Sequence, residues 1–195
     1  HALTQNIKGL RVGVPKEFFE DPIDSEIEFF VRNAIDLLGK LGAKIHELSW
    51  PMVHQSKAIS GTIQMAEATA YHSQLLKHQS SHLDPKVRLR LEAGLFISAV
   101  DYVQAQRARR LFYQQSCDLF NKVDLLAGQA LTQYTRPFNL NGFPAITVPC
   151  GLSKNGLPIG FQLAGKPFDE ATVLRVAFAY EQATEWHRRR PPIPK

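Results

Sequence analysis

The stretch RPFNLNGFPAITVPCGLSKNGLPIGFQLAGKP, residues 136–167, decides how this 195-residue chain is read. It holds two short apolar runs, Ala145–Val148 and Ile159–Leu163, each introduced by a proline, Pro144 and Pro158. A residue that precedes proline is pushed out of the α region, and β-branched Ile and Val suit the pleated surface of a strand. The runs therefore read as two buried strands joined by the polar turn Ser153-Lys154-Asn155-Gly156. The Asn-Gly pair marks a hairpin, because both residues tolerate positive φ. On physical grounds alone this is the core of a sheet.

Working outward, residues 9–14 (GLRVGV) read as a strand carried into a turn by Pro15. A helix follows, with Ser25 and Glu28 as a capping box and Ile27, Phe30, Val31, Ala34, Leu38 and Leu41 on one face. Gly42 ends it in the C′ position, and residues 43–48 (AKIHEL) alternate like a strand. Such a β-α-β unit predicts a parallel pair. After Pro51 the pattern is helical for about seventy residues, with breaks. Ile59, Ile63, Ala66 and Ala70 form a first stripe, and HQSSHLDP at 78–85 interrupts it. A shorter helix from Pro85 carries Val87, Leu89 and Leu91. Ser98 and Asp101 cap a longer one with Ala105, Phe112 and Leu119 on its inner face. VDLL at 123–126 is another strand, and Asp169 caps a last helix with Val173, Leu174, Ala177 and Tyr180 buried. The expected fold is α/β: one domain over residues 1–195, with a mixed sheet from strands near 10–14, 44–48, 123–126, 145–149 and 159–163, covered by helices.

Composition is that of an ordinary globular protein, with 44% hydrophobic and 21% charged residues. No apolar run is long enough for a membrane span and no signal peptide opens the chain, so no membrane partner is expected. The first residue is His1, and the chain is expected to begin inside a larger reading frame, behind a tag or after processing. Cys117 and Cys150 lie far apart in no metal-binding spacing, which fits reduced thiols in the cytoplasm. The net charge of +5 is spread along the chain apart from Arg107-Arg109-Arg110 and Arg188-Arg189-Arg190, so nucleic acid is not the expected partner.

Three linked motifs carry a family resemblance: Phe138-Asn139-x-x-Gly142-x-Pro144-Ala145, then Val148-Pro149-x-Gly151, then Gly156-Leu157-Pro158-Ile159-Gly160-x-Gln162-Leu163. In this order they resemble the C-terminal signature of amidase-signature enzymes, a family that includes the A subunit of glutamyl-tRNA amidotransferase. GLRVGVPKEFF at 9–19, LEAGLFISAVDYVQAQRARR at 91–110 and the run from Asp169 to Glu181 are similar to the same family. One departure stands out. Relatives continue from the D-x-L strand into a Thr-Pro-containing stretch and a longer loop, where this chain has only Ala127 to Thr135. Residues that belong at this point are expected to be missing, the alternative being a genuinely shortened loop.

The resemblance implies amide hydrolysis by a serine nucleophile, a second serine in a cis peptide and a lysine base. A serine hydroxyl needs a group to take its proton, and glycine-rich backbone supplies N–H donors to the oxyanion. This chain has no G-G-S-S-G-G type stretch; its one Ser-Ser pair, Ser80-Ser81, lies in HQSSHLD without glycines. No catalytic residue is therefore assigned, and no metal site or cofactor: His78 and His82 are four apart but lack the intervening Glu, and Gly151-x-x-x-x-Gly156 is followed by Leu157-Pro158 in place of a phosphate loop's Lys and Ser/Thr. Cys150 reads as a buried strand-end thiol, with nothing to bring His187 to it. Phe138 and Asn139 are the substrate-binding candidates, because in the family the segment leading into this motif passes the acyl pocket.

The chain is thus expected to be the C-terminal portion of an amidase-signature hydrolase, inactive by itself, whose parent takes a small amide substrate. Its sheet would be covered by a missing N-terminal part or by a second copy in a homo-oligomer. The competing reading is a non-catalytic binding module, or part of one chain of an amidotransferase, that contacts a partner protein or tRNA.

Overall fold

The structure is a computed structural model that describes residues 3–20 and 24–190. The chain divides into two compact units, one formed by residues 1–53 and 115–195 and the other by residues 54–114.

The first unit is built on a five-stranded mixed sheet in the order β2-β1-β3-β5-β4. Its strands are β1 (Arg11–Pro15), β2 (Lys44–Leu48), β3 (Leu125–Gln129), β4 (Ala145–Leu152) and β5 (Pro158–Gly165). β1 runs parallel to both β2 and β3, and β3-β5 and β5-β4 are antiparallel. All five expected strands are present, and the α/β class stands. The third begins two residues later than VDLL suggests, because Asp124 is used differently. Its carboxylate receives the N–H of Arg11 at 2.9 Å and the Arg11 guanidinium at 2.7 Å, fixing β3 beside β1.

α1 (Ser25–Lys40) connects β1 to β2. Its cap is Asp24, whose side chain receives the Glu26 N–H at 2.9 Å, and not the Ser25–Glu28 box that the pattern suggests. A carboxylate one position earlier reaches the same orphan donors and adds charge at the positive end of the helix. Val31, Ala34, Ile35 and Leu38 of α1 meet Val12, Val14, Leu125, Ala127, Phe161 and Leu163 of the sheet. α7 (Glu170–Gln182) completes this core with Val173, Val176, Ala177 and Tyr180, while Leu174 is exposed. The β4-β5 turn closes through the Gly156 N–H on the Ser153 carbonyl at 2.8 Å. Only Gly156 takes positive φ, at 74°, and Asn155 does not. The connection is therefore longer than a two-residue Asn-Gly turn, with the glycine in the left-handed bulge position.

The second unit is helical. It contains α2 (Ser56–Tyr71), α3 (Ser73–Gln79), α4 (Pro85–Ala93) and most of α5 (Ala99–Leu119). The Ser98–Asp101 box forms in both directions: Ser98 Oγ donates to the Asp101 carboxylate at 2.6 Å and receives the Asp101 N–H at 3.1 Å. Two expected stripes shift. Thr69 is buried in place of Ala70, because its hydroxyl donates to the Leu91 carbonyl at 2.6 Å. Of the α4 residues Val87, Leu89 and Leu91, only Leu91 is buried. No helix among the described residues is long and apolar enough to cross a membrane.

Candidate functional site

The sheet face opposite α1 and α7 begins where β1 ends. Pro15 turns the chain into a short 3₁₀ segment, Lys16–Phe19. Glu17 lies buried there, and its carboxylate receives the Ser49 hydroxyl at 2.5 Å and the Trp50 N–H at 2.8 Å. Burial works against its charge, but these two donors, together with its own backbone N–H and the neighbouring Lys16 charge, hold the pKa below the usual carboxylate range. The next residue, Phe18, lays its ring against Gly128 of β3; a Cβ there would stand 2.4 Å from the ring. Glycine is what lets the ring reach the sheet.

Phe18 is the hub of an aromatic group with Trp50, Tyr134 and Phe138, at ring separations of 6.2, 4.8 and 6.5 Å. Tyr134 and Phe138 come from α6 (Thr132–Asn141), a helix that the sequence pattern does not announce. Pro137 inside the segment argues against a helix, since proline removes a backbone donor. Yet Tyr134, Phe138 and Asn141 recur at helical spacing, and all three are buried. That spacing is the signal that finds the helix. Gly142 ends it at φ 71°.

The two substrate-binding candidates separate. Phe138 is only 2% exposed and belongs to the aromatic group, whereas Asn139, one residue on, is exposed. The buried amide of this helix is Asn141, whose Nδ2 donates to Ser116 Oγ at 2.8 Å. Two glutamines lie nearby in the sheet. The Gln129 side chain donates to the Phe18 carbonyl, holding the end of β3 to the 3₁₀ segment. Gln162 stands mid-strand in β5, opposite Gly128 on β3 and Thr147 on β4.

The remaining sequence candidates are dispersed. Ser80 and Ser81 lie in a short 3₁₀ turn, Ser80–His82, that also holds His82, while His78 is in α3. Cys150 is a free thiol buried in the core with Tyr180. Burial pushes it up to about 12, so it is not a nucleophile at neutral pH. Tyr180 is likewise raised, by burial first and by Cys150 second.

Against known proteins, a family model described as Amidase matches residues 1–128 and 128–174. The chain belongs to the amidase-signature family. It is 37% identical to an amidase of Pseudomonas putida, over 98% of this chain and 46% of the relative. It is 36% identical to the A subunit of the glutamyl-tRNA(Gln) amidotransferase of Chloroflexus aggregans, over 98% of this chain and 48% of that protein. Among solved structures it resembles a bacterial aryl acylamidase of the amidase-signature family, with a TM-score of 0.83 at 19% identity over 96% of this chain and 46% of the other. That last likeness concerns the fold. The chain spans about half the length of the curated relatives it matches.

Proposed function

We propose that this chain is the C-terminal portion of an amidase-signature hydrolase that cleaves carbon–nitrogen amide bonds by serine nucleophilic catalysis. The portion supplies scaffold and pocket wall, and the nucleophile and base come from residues outside it. The observation that carries this reading is the family match along the chain, joined to the lack of any glycine-flanked serine pair within it. In such chemistry the serine must lose its proton to a neighbour, and the developing oxyanion must be met by fixed N–H donors. Neither device can be assembled from Ser80-Ser81 in a short surface turn.

Within this portion, Asn139 is the group free to meet a small amide substrate, and Phe138 stands behind it as the fixed wall. The N-terminal half of the domain, or a second copy of the chain, covers the rest of the sheet. The enzyme works in the cytoplasm with both thiols reduced. The test is hydrolysis of benzamide, an anilide and glutamine by the purified chain, with and without a separately expressed N-terminal half of the P. putida amidase. No activity alone and serine-reagent-sensitive activity on mixing is the expected result. Serine-sensitive hydrolysis by the chain alone would overturn the assignment of catalysis to residues outside it.

A second reading rests on the 36% identity to one chain of an amidotransferase. In that case the parent releases ammonia from glutamine beside partner chains. Ammonia formation from glutamine that needs those chains, with no turnover of benzamide, selects it.

A further inference from the structure

Gln162 is 4% exposed, and among the described residues no group donates to its buried Oε1. Carboxamide oxygens inside proteins are almost always hydrogen-bonded, so one without a protein donor marks a place where a donor belongs. A second observation is independent of that one. The family match breaks into two pieces that meet at residue 128, and Gly128 is the cross-strand partner of Gln162. The alignments to the P. putida amidase and the C. aggregans protein run over 217 and 235 positions, more than the 195 residues of this chain. The relatives therefore carry residues that this chain lacks, and the break falls beside Gln162. A third observation gives the direction of approach. On the far side of Gln162 lies Thr147 of the edge strand β4, and Thr147 and Ala145 are exposed.

We propose that Gln162 is the receptor for a polypeptide segment that enters after Gly128, whose backbone N–H donates to Oε1. In this chain β3 instead passes through Ala130 and Leu131 into α6, and that donor does not arrive. The segment in question is the one the relatives carry at the break, and its ligand chemistry is a peptide N–H. Beyond the geometry of Gln162 this needs only family membership, and it stands or falls independently of whether the parent enzyme cleaves amides.

The test is a cycle of four proteins measured by denaturant unfolding. They are the present chain, its Gln162→Met variant, a chimera with the P. putida segment inserted between Gly128 and Gln129, and the chimera carrying Gln162→Met. Methionine keeps the volume and removes the acceptor. In the present chain Gln162→Met should leave the unfolding equilibrium constant unchanged or lower it. In the chimera it should raise that constant by about five- to a hundred-fold, the range for stripping a buried hydrogen bond of its partner. An effect of the same sign and size in both backgrounds overturns the proposal. So does a five-fold or larger destabilisation of the present chain, in the range of a lost buried hydrogen bond, because Oε1 would then already hold a donor such as ordered water. If the chimera does not fold, the segment is added as a synthetic peptide while the Gln162 side-chain amide resonance is followed. Displacement of that resonance supports the proposal, and an unmoved resonance at millimolar peptide overturns it.

Discussion

The two faces of the central sheet are built on different terms. Under α1 and α7, alternating Val12, Val14, Leu125, Ala127, Phe161 and Leu163 meet aliphatic helix residues, and stabilisation comes from area removed from water. On the other face a glycine admits the ring of Phe18, a buried carboxylate ties Ser49 and Trp50 to the end of β1, and Gln162 stands among them. The first face tolerates rough complementarity, because apolar contact is non-directional. The second depends on particular donors and particular clearances. The motifs that carry the family resemblance fall mainly on α6, β4 and β5, and one of their polar members, Gln162, lies on the second face.

The sharpest test of this contrast is Phe161→Ala on the apolar face. Phe161 is fully buried, and its loss should cost about 3–5 kcal/mol, read from the denaturant midpoint at unchanged slope. A cost below about 1 kcal/mol, the range of a surface change, would mean that this face is not the main store of stability. Next comes Glu17→Ala, which leaves the buried Trp50 N–H without its acceptor and should cost about 1–3 kcal/mol. The same group gives a pH signature. Its folded pKa lies below the unfolded value, so its stabilisation is present above the unfolded carboxylate range and is lost as pH falls through the folded pKa. Stability against acid titration in wild type and Glu17→Gln should therefore converge at low pH. Parallel curves would remove Glu17 from the account.

Gly128→Ala should cost about 1–3 kcal/mol by forcing the Phe18 ring off the sheet, with near-ultraviolet circular dichroism reporting the moved aromatic group. The last effect belongs to the apolar face and is confined to alkaline pH, so it is nil under the neutral conditions of the others. The Cys150 thiol is raised from 9.0 to about 12 by burial, so the unfolded chain deprotonates first and stability should fall as pH rises between those values. A Cys150→Ala variant should lose that slope between pH 9.0 and 10.0, below the range in which the buried Tyr180 hydroxyl, also raised, adds a fall of its own. Its persistence would put the alkaline transition elsewhere.

The difference between the faces also governs what the sequence reveals. The proline-led apolar runs at 145–148 and 159–163 and the 3.6-residue spacing of α1 are carried by many residues at once, so the strands and this helix are legible. Where a single polar atom decides, the reading slips. Asp24 replaces Ser25 as a cap, Thr69 replaces Ala70 in the α2 stripe, and Asp124 delays β3, each through one side-chain hydrogen bond with no periodic trace. The candidate site shows the same division. The F-N motif falls on α6, which the pattern does not announce, and the structure buries Phe138 while leaving Asn139 outside. Asn141 and Gln162 stay hidden in the sequence, since a lone amide in a motif does not announce whether it faces water or core. The helical spacing from Tyr134 is the signal that places Asn141.

The outer strands of the sheet have a consequence for handling the molecule. β2 ends the sheet on one side with exposed Lys44, His46 and Glu47, and β4 ends it on the other with Pro149 and a break in register between Pro149 and Gly151. Charge on one border, and a proline with a bulge on the other, are the usual defences against strand-to-strand polymerisation. With those defences at both borders, concentrating the protein for spectroscopy should not seed fibrils from its rims, which thioflavin fluorescence over a concentration series checks.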